Sequence, residues 1–290
     1  MMDQAESLRR RMNHTHQARL IAVASGKGGV GKSNLCVNTA LSLVELGYRT
    51  IILDMDSGMG NVDVIMGVKP SYHLIDMLQN RLTVWDVIET SSLGVSYIAG
   101  GSGLVEMVQL TEQDIAYFQD QLQGLTHQYD FIFLDMGAGV TEESLQLLAA
   151  ADDLLLVTTP EPTALTDAYS LLKQLTRLPD KLQVFAIANQ TDSEREGQRT
   201  LENLSKVAKQ FLHIDLVKLG HIPFDRMVSK AVKAQIPYSA YEGRSKAGLA
   251  TKKLVQTYLA EIQVEPKVIE KAPFFQRLGR WMSGSASGTK

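Results

Sequence analysis

A glycine-rich loop stands near the start of the chain, with the sequence Ser25-Gly26-Lys27-Gly28-Gly29-Val30-Gly31-Lys32-Ser33. An apolar run at 20–24 precedes it and predicts a buried strand, and a helical pattern runs from about Lys32 to Leu46. Strand, glycine-rich loop and helix in this order are the setting of a phosphate-binding loop. The loop glycines turn backbone N–H groups inward, and the helix N-terminus adds unpaired donors. We therefore expect residues 26–33 to bind a nucleoside triphosphate, with Lys32 at its β- and γ-phosphates and Ser33 on Mg²⁺.

A second lysine makes this loop more specific. A phosphate loop needs only the lysine before its Ser or Thr, whereas this one also carries Lys27 in its first turn. Residues 26–33 resemble the deviant Walker A motif, KGGxGK[ST], of the MinD/ParA family. The resemblance implies that Lys27 reaches the nucleotide of a second copy, so that ATP binding drives homodimer formation.

Composition and periodicity predict the class of fold. The chain has 290 residues, of which 44% are hydrophobic. Alternating strand and helix patterns continue from residue 20 to 263 without a linker, so we predict one α/β domain between tails at 1–19 and 264–290. Its mostly parallel sheet should have about seven or eight strands, with helices on both faces.

The net charge and the cysteine content argue against several classes of function. A net charge of −3 gives no general attraction to nucleic acid, so no nucleic-acid partner is expected, and binding to an anionic surface needs a local basic patch. The lone cysteine, Cys36, excludes a disulfide framework within the chain. The sequence shows no signal peptide and no run of apolar residues long enough to span a membrane. These features favour a cytoplasmic location.

Two aspartates follow the second predicted strand, residues 50–53. Ligands in open α/β sheets bind beyond the carboxyl ends of strands, which places Asp54 and Asp56 near the phosphates. The run 54–63 resembles the switch I region of MinD, D-x-D-x-G-x-x-N-x-D. By that resemblance Asp56 orients the attacking water and Asp54 supports Mg²⁺, whereas Asp63 is equally well explained as a capping or turn residue.

A third apolar run, residues 129–134, closes on Asp135 in the Walker B pattern. This carboxylate is expected to reach Mg²⁺ through water. The next residues, Met136-Gly137-Ala138-Gly139, form a loop that is expected to act as switch II through Gly137 and Gly139. They depart from the D-[ST]-P-A-G of MinD itself, and this departure resembles the flagellar branch of the family.

Two further positions are assigned to the base. In the family an asparagine at the place of Asn189, after the strand 184–188, reads adenine, although an Asx-turn would also explain it. Residues 216–225 resemble the G-x-I-P-x-D segment that packs beside the base. Pro223 is carried over from it, with simple packing as the alternative.

The remaining patterns predict helices and strands to which no functional residue is assigned. Short helices are expected around 72–79 and 83–89, a strand at 95–98, a helix near 111–127, a strand from about 153, a helix at 195–211 and a final helix from about 245 to 262. The glycine-rich turn at 99–103 lacks a following lysine and is interpreted as a loop.

The N-terminal segment carries a partner motif. Residues 3–9, Asp3-Gln4-Ala5-Glu6-Ser7-Leu8-Arg9, resemble the DQAxxLR element of the FlhG (YlxH/FleN) family of MinD-like regulators of flagellar number. The resemblance implies that Asp3, Gln4, Ala5, Leu8 and Arg9 dock on the signal-recognition-type GTPase FlhF and stimulate its hydrolysis. A charged terminal tail without a partner is the alternative.

The C-terminal segment predicts a short amphipathic helix at 273–282. Its apolar face consists of Phe274, Phe275, Leu278, Trp281 and Met282, and Arg277 and Arg280 lie beside it. Basic residues beside an aromatic face are typical of a helix that lies on anionic lipid. The alternatives are docking on the protein's own surface or on another protein.

Taken together, these patterns predict a MinD-like ATPase that uses ATP and Mg²⁺, dimerises, binds the inner face of the cell membrane reversibly, and releases ADP after slow hydrolysis. Catalysis is expected from Lys27, Lys32 and Asp56. The FlhG resemblance implies control of flagellar number and placement, with FlhF and flagellar switch (C-ring) proteins as partners. A septum-site MinD-type ATPase, a ParA-like partition ATPase and an adaptor with vestigial hydrolysis are the alternatives, whereas the single cysteine rules out a bridging iron–sulfur cluster.

Overall fold

A computed structural model describes residues 18–56, 60–100, 112–139, 141–178, 182–241 and 245–264. The predicted partner motif at 3–9 and the predicted amphipathic helix at 273–282 lie outside these residues. Within them, no helix combines the length and the apolar character needed to cross a membrane.

Eight strands form one sheet in the order β3-β4-β2-β5-β1-β6-β7-β8. All neighbours pair in parallel except β3 and β4, which are antiparallel. The predicted α/β class and strand number are therefore confirmed. The strands are β1 Arg19–Ala24, β2 Thr50–Met55, β3 Glu89–Thr90, β4 Ser96–Ile98, β5 Phe131–Met136, β6 Asp153–Thr158, β7 Gln183–Thr191 and β8 Leu216–Pro223.

Helices connect these strands and cover both faces of the sheet. They are α1 Lys32–Glu45, α2 Val62–Met66, α3 Leu74–Gln79, α4 Val84–Val87, α5 Glu112–Gln123, α6 Leu125–Gln128, α7 Glu142–Ala150, α8 Pro162–Leu175, α9 Glu194–Val207, α10 Arg226–Lys233 and α11 Lys246–Val264. A π-helical segment, Ala208–Leu212, continues α9.

The central strands are buried on both sides. In β1, Leu20, Ala22 and Ala24 join one hydrophobic cluster, and Ile21 and Val23 join the other. The first cluster includes residues of α3, α7, α8 and α9, and the second includes residues of α1, α2, α10 and α11. A strand covered by helices on both faces is apolar at every position, which explains why the runs at 20–24 and 131–134 show no alternation.

Several short elements differ from the sequence expectation. The helix expected near 111–127 is two helices, α5 and α6, which are separated at Gly124. The helix expected at 83–89 is the single turn α4, followed by the two-residue edge strand β3. The helices α2, α7, α8 and α10 were not predicted. Elements of four to eight residues, such as α2 and α10, are too short to show a clear period.

Charged groups are buried at the amino end of the sheet. The charge pattern groups Arg19 with the N-terminal tail, but the structure makes it the first residue of β1. Its guanidinium binds both oxygens of Asp153, with Nη2 at 2.9 Å from Oδ1, and the Tyr258 hydroxyl donates to Oδ2 at 2.6 Å. Asp153 is fully buried, so this network ties α11 to the start of β1 and β6.

Candidate functional site

The carboxyl ends of the parallel strands bring the predicted site residues to one edge of the sheet. The phosphate loop follows β1, which lies between β5 and β6 at the centre. Asp54 lies at the end of β2, Asp135 at the end of β5 and Asn189 near the end of β7. Strand order alone therefore places these side chains around the loop, as expected for an open α/β sheet.

Two glycines allow neighbouring elements to approach the loop closely. A Cβ at Gly26 would lie 2.1 Å from the backbone carbonyl carbon of Asp167, so α8 packs directly against the loop. Gly31 has a φ of +88°, and a Cβ there would lie 2.4 Å from Nδ2 of Asn189. Any other residue at either position would displace the loop from these contacts.

Lys32 and Asp135 form a buried ion pair at the first turn of α1. Lys32 is 8% exposed, and its Nζ donates to Asp135 Oδ1 at 3.2 Å. The other carboxylate oxygen, Oδ2, is buried and accepts no hydrogen bond from the described residues. Burial raises the pKa of Asp135, although the Lys32 ammonium and the Ser33 hydroxyl act in the opposite direction. A buried carboxylate oxygen without a donor suits a cation or its bound water.

Asp54 lies next to Asp135 in the register of β2 and β5. Its Oδ1 accepts from the backbone N–H of Asp56 at 3.0 Å, and its Oδ2 accepts from those of Asn61 at 3.0 Å and Val62 at 3.3 Å. Burial and the nearby Asp135 charge raise the pKa of Asp54 to about 6, against the lowering effect of these three amides. Asp54 thus fixes the start of the switch I segment and places a second acidic group beside Asp135.

Asp56 lies against the predicted switch II loop. A Cβ at Gly137 would lie 3.6 Å from Asp56 Oδ1, so the two switch segments are in contact distance at this point. Gly139 has a φ of +87°, and no atom of the described residues that are not its chain neighbours lies within 4 Å of the position that a Cβ would take there. A displacement of either segment would therefore alter the contact at Asp56.

The side chains at this edge fit Mg²⁺ with phosphate and water as further ligands. Ser33, Asp54 and Asp135 offer only oxygen atoms, which Mg²⁺ prefers, and the open Asp135 Oδ2 adds a specific acceptor. The described residues contain no group of three or more His, Cys, Asp or Glu that would hold a metal by itself. Mg²⁺ that binds together with a nucleotide takes one or two carboxylates from the protein, which Asp54 and Asp135 would provide.

Lys27 makes contacts that the sequence did not predict. Its Nζ donates to Glu161 Oε2 at 2.7 Å and to the Thr163 hydroxyl at 3.2 Å. The Lys27 and Glu161 side chains are 40% and 64% exposed, so this pair is open to solvent. The only sequence signal for these partners was the Pro160-Glu161-Pro162 turn after β6.

Asn189 supports the loop directly. Its Nδ2 donates to the backbone carbonyl of Val30 at 2.7 Å, so the side chain holds the phosphate loop and leaves Oδ1 for another donor. Pro223 ends β8 and pairs in register with Thr191, the last residue of β7, two positions after Asn189. These positions are compatible with the predicted base contacts, which remain predictions.

The chain is similar to known proteins over most of its length. Residues 16–259 match the family model described as "ParA: NUBPL iron-transfer P-loop NTPase". The chain is 38% identical to the antiactivator FleN of Pseudomonas aeruginosa over 85% of this chain and 88% of FleN. It is 36% identical to the flagellum site-determining protein YlxH of Helicobacter pylori over 74% of this chain and 73% of YlxH.

Solved structures agree with the fold. The septum site-determining protein MinD of Pyrococcus horikoshii, complexed with Mg-ADP, matches with a TM-score of 0.69 and 26% identity, covering 87% of this chain and all of MinD. The chain has one cysteine, Cys36, and it is buried, whereas iron–sulfur clusters are typically held by several cysteine thiolates.

Proposed function

This chain belongs to the ParA family of P-loop NTPases, in the branch that contains FleN and YlxH, and on that premise we propose that it is an ATP-hydrolysing switch that controls flagellar number and placement. The observation that carries the enzymatic part is the buried Lys32–Asp135 pair with its open carboxylate oxygen beside the phosphate loop. The similarity to FleN and YlxH, which extends over most of the chain, carries the flagellar part.

Different residues of the chain have different roles in ATP hydrolysis. The loop amides and Lys32 hold the phosphates, and Asp56 orients the attacking water. Ser33, Asp54 and Asp135 hold Mg²⁺, which supplies charge neutralisation at the phosphates when it is bound. Glycines at 137 and 139 let switch II respond to the γ-phosphate, and the contact of Gly137 with Asp56 transmits that response to switch I.

Homodimer formation is the proposed consequence of ATP binding. Lys27 is held on the surface of its own chain by Glu161 and Thr163, so its ammonium is accessible to a second copy. In the dimer, Lys27 leaves this resting contact and neutralises phosphate charge on the partner's nucleotide. Hydrolysis removes the γ-phosphate and returns the chain to the monomer.

The two terminal segments connect the ATPase to the membrane and to its partner proteins. Residues 273–282 bind anionic lipid, and one helix of this length binds weakly, so a dimer with two copies resides on the membrane longer than a monomer. The N-terminal motif, with Gln4 at its centre, stimulates the FlhF-type GTPase. Flagellar switch proteins are the further partners.

The decisive experiment addresses the N-terminal motif. A peptide of residues 1–19 is added to the purified FlhF-type GTPase of the same organism, with a Gln4→Ala peptide as the matched control. Stimulation by the native peptide alone supports the flagellar pathway. If the dimeric GTPase shows no response to either peptide, this pathway is excluded as the target of the motif.

A second experiment addresses hydrolysis. Asp56→Ala should retain ATP binding and dimer formation but block turnover, which is measured as phosphate release and as the lifetime of the dimer. An unchanged flagellar pattern in cells that carry Asp56→Ala would favour the adaptor alternative, in which hydrolysis is vestigial.

A further inference from the structure

A basic surface lies on α10 and α11, which follow Pro223 in the chain. The described residues between Arg226 and Ala260 contain no Asp or Glu. They contain six cationic residues: Arg226, Lys230, Lys233, Lys246, Lys252 and Lys253. Because the whole chain has a net charge of −3, this stretch is a local reversal of the overall charge.

Asp225 and Glu261 are the described acidic residues that border this stretch, and most of the six cations form no ion pair with a described residue. Lys252 pairs with Glu45 of α1 at 2.7 Å. The other five form no ion pair with another described residue, and all five are exposed. On α10 the three exposed cations recur at i, i+4 and i+7, so they share one side of the helix, opposite the buried Ala231.

One carboxylate fixes the two helices together. Asp225 accepts hydrogen bonds from the N–H of Met227 at 2.9 Å, the Ser245 hydroxyl at 2.9 Å and the N–H of Ala247 at 3.2 Å. Although its partial burial acts in the other direction, these bonds lower the pKa of Asp225. Asp225 therefore caps α10 and holds the start of α11 beside it. Both helices pack on the same face of the sheet, since Ala231 and Ala247 join one cluster.

Large apolar side chains are exposed among these cations. Phe224 is 58% exposed, Ile236 is 39% exposed and Leu249 is 56% exposed. A surface that binds nucleic acid through phosphates needs the cations alone. Cations together with protruding apolar groups suit the head-group region of an anionic membrane, where the apolar groups enter the acyl boundary.

We propose that the α10–α11 face, defined by Arg226, Lys230, Lys233, Lys246 and Lys253 with Phe224, Ile236 and Leu249, binds anionic lipid as a second membrane contact. The inference rests on the proposed membrane association of residues 273–282 and goes beyond it. With this second contact, the same side of the folded domain always faces the membrane. With residues 273–282 alone, the orientation of the domain would not be fixed.

The chain length between the two contacts supports this arrangement. The last helix of the domain, α11, ends at Val264, and residues 265–272 separate it from the predicted amphipathic helix. Eight residues span at most about 29 Å when extended. A lipid contact made by residues 273–282 would therefore lie near α11, and two contacts on one chain bind a membrane more tightly than either alone.

The test compares two triple variants of the full chain in the presence of ATP. Lys230→Gln, Lys233→Gln and Lys253→Gln remove three charges from the α10–α11 face. Arg195→Gln, Arg199→Gln and Lys206→Gln remove three exposed charges from α9, on the other face of the sheet. Binding is measured by sedimentation with phosphatidylcholine vesicles that contain or lack phosphatidylglycerol. Unchanged unfolding temperatures verify that both variants are folded.

We expect the α10–α11 variant to lose affinity for phosphatidylglycerol vesicles by up to about a hundredfold, or about fivefold for each charge. The α9 variant should retain most of the affinity. Equal losses in both variants, or no loss in either, would overturn the inference. The same holds if the α10–α11 variant keeps its vesicle binding but loses retention of duplex DNA.

Failure of the inference and failure of the proposed function give different results. If the intact chain binds no vesicles, the proposed membrane association fails and the inference fails with it. If deletion of residues 273–290 abolishes vesicle binding while the α10–α11 variant binds normally, the tail acts alone. The proposed function then stands and the second contact is rejected.

Discussion

The ammonium of Lys27 lies 2.7 Å from the Glu161 carboxylate, although 134 positions separate the two residues in the chain. The Thr163 hydroxyl completes the contact at 3.2 Å. The lysine that should serve a second copy is thus held at rest by its own chain. In the proposed ATP-bound dimer this pair would be broken, and its strength would set part of the free-energy cost of dimerisation.

Replacing Glu161 should favour the dimer. An exposed ion pair contributes about 1 kcal/mol or less, so Glu161→Gln should strengthen ATP-dependent dimerisation by up to about fivefold for each protomer. Analytical ultracentrifugation with a non-hydrolysable ATP analogue measures this change. Lys27→Ala is the matched control and should bind ATP but remain monomeric. Weaker dimerisation of Glu161→Gln would show that Glu161 also supports Lys27 in the dimer.

Ionisation of Asp54 should be linked to the binding of Mg²⁺ and ATP. Its pKa of about 6 lies above the ordinary value, so at pH 6 a large fraction of Asp54 carries a proton in the nucleotide-free protein. Binding of a cation requires the carboxylate, so complex formation should release protons at pH 6 and almost none at pH 8, and affinity should fall as the pH decreases below 6. Calorimetry in buffers of different ionisation enthalpy measures the release. Asp54→Asn should reduce it, and equal release in this variant would contradict the assignment.

The raised pKa of Asp54 also affects the free energy of unfolding. The effect is opposite to that of a salt-bridged aspartate, whose pKa is lowered by folding. The folded chain binds the proton more tightly than the unfolded chain, so ionised Asp54 costs folding free energy above about pH 6. This cost disappears as the pH falls toward the unfolded value. Asp54 should therefore make the nucleotide-free chain relatively more stable at pH 5 than at pH 7.

The sequence predicts those parts of the site that are local in the chain. Residues 25–33 form a contiguous loop, and Asp54 and Asp135 directly follow apolar runs, so strand periodicity and sheet topology were sufficient to place them. Contacts between distant segments carry no such signal. Asn189 binds the carbonyl of Val30 across 159 positions, and Asp225 joins two helices through groups 20 and 22 residues away. Such contacts depend on the packing of side chains in three dimensions.

Asn189 should support the phosphate loop, whether or not it also reads the base. Loss of its hydrogen bond to Val30 leaves a loop carbonyl without its donor, at a cost of about 1–3 kcal/mol. Asn189→Ala should therefore weaken the binding of ATP and GTP alike, by about fivefold to a hundredfold. If Asn189 also reads adenine, the loss is larger for ATP than for GTP. Equilibrium binding of fluorescent analogues of the two nucleotides separates these effects, and unchanged affinity for both would reject both roles.

The buried charge at the amino end of the sheet should be essential for stability and irrelevant to nucleotide contacts. Asp153 is fully buried and is held by Arg19 and by the Tyr258 hydroxyl at 2.6 Å, and its removal leaves the partly buried Arg19 without its partner. Breaking such a pair from one side costs about 3–5 kcal/mol, so Asp153→Ala should lower the free energy of unfolding by about that amount. Urea denaturation measures the loss. The matched control is Lys209→Ala, which breaks the exposed pair with Asp215 and should leave stability unchanged. A similar small effect in both variants would show that the Arg19–Asp153–Tyr258 network does not hold α11 to the sheet.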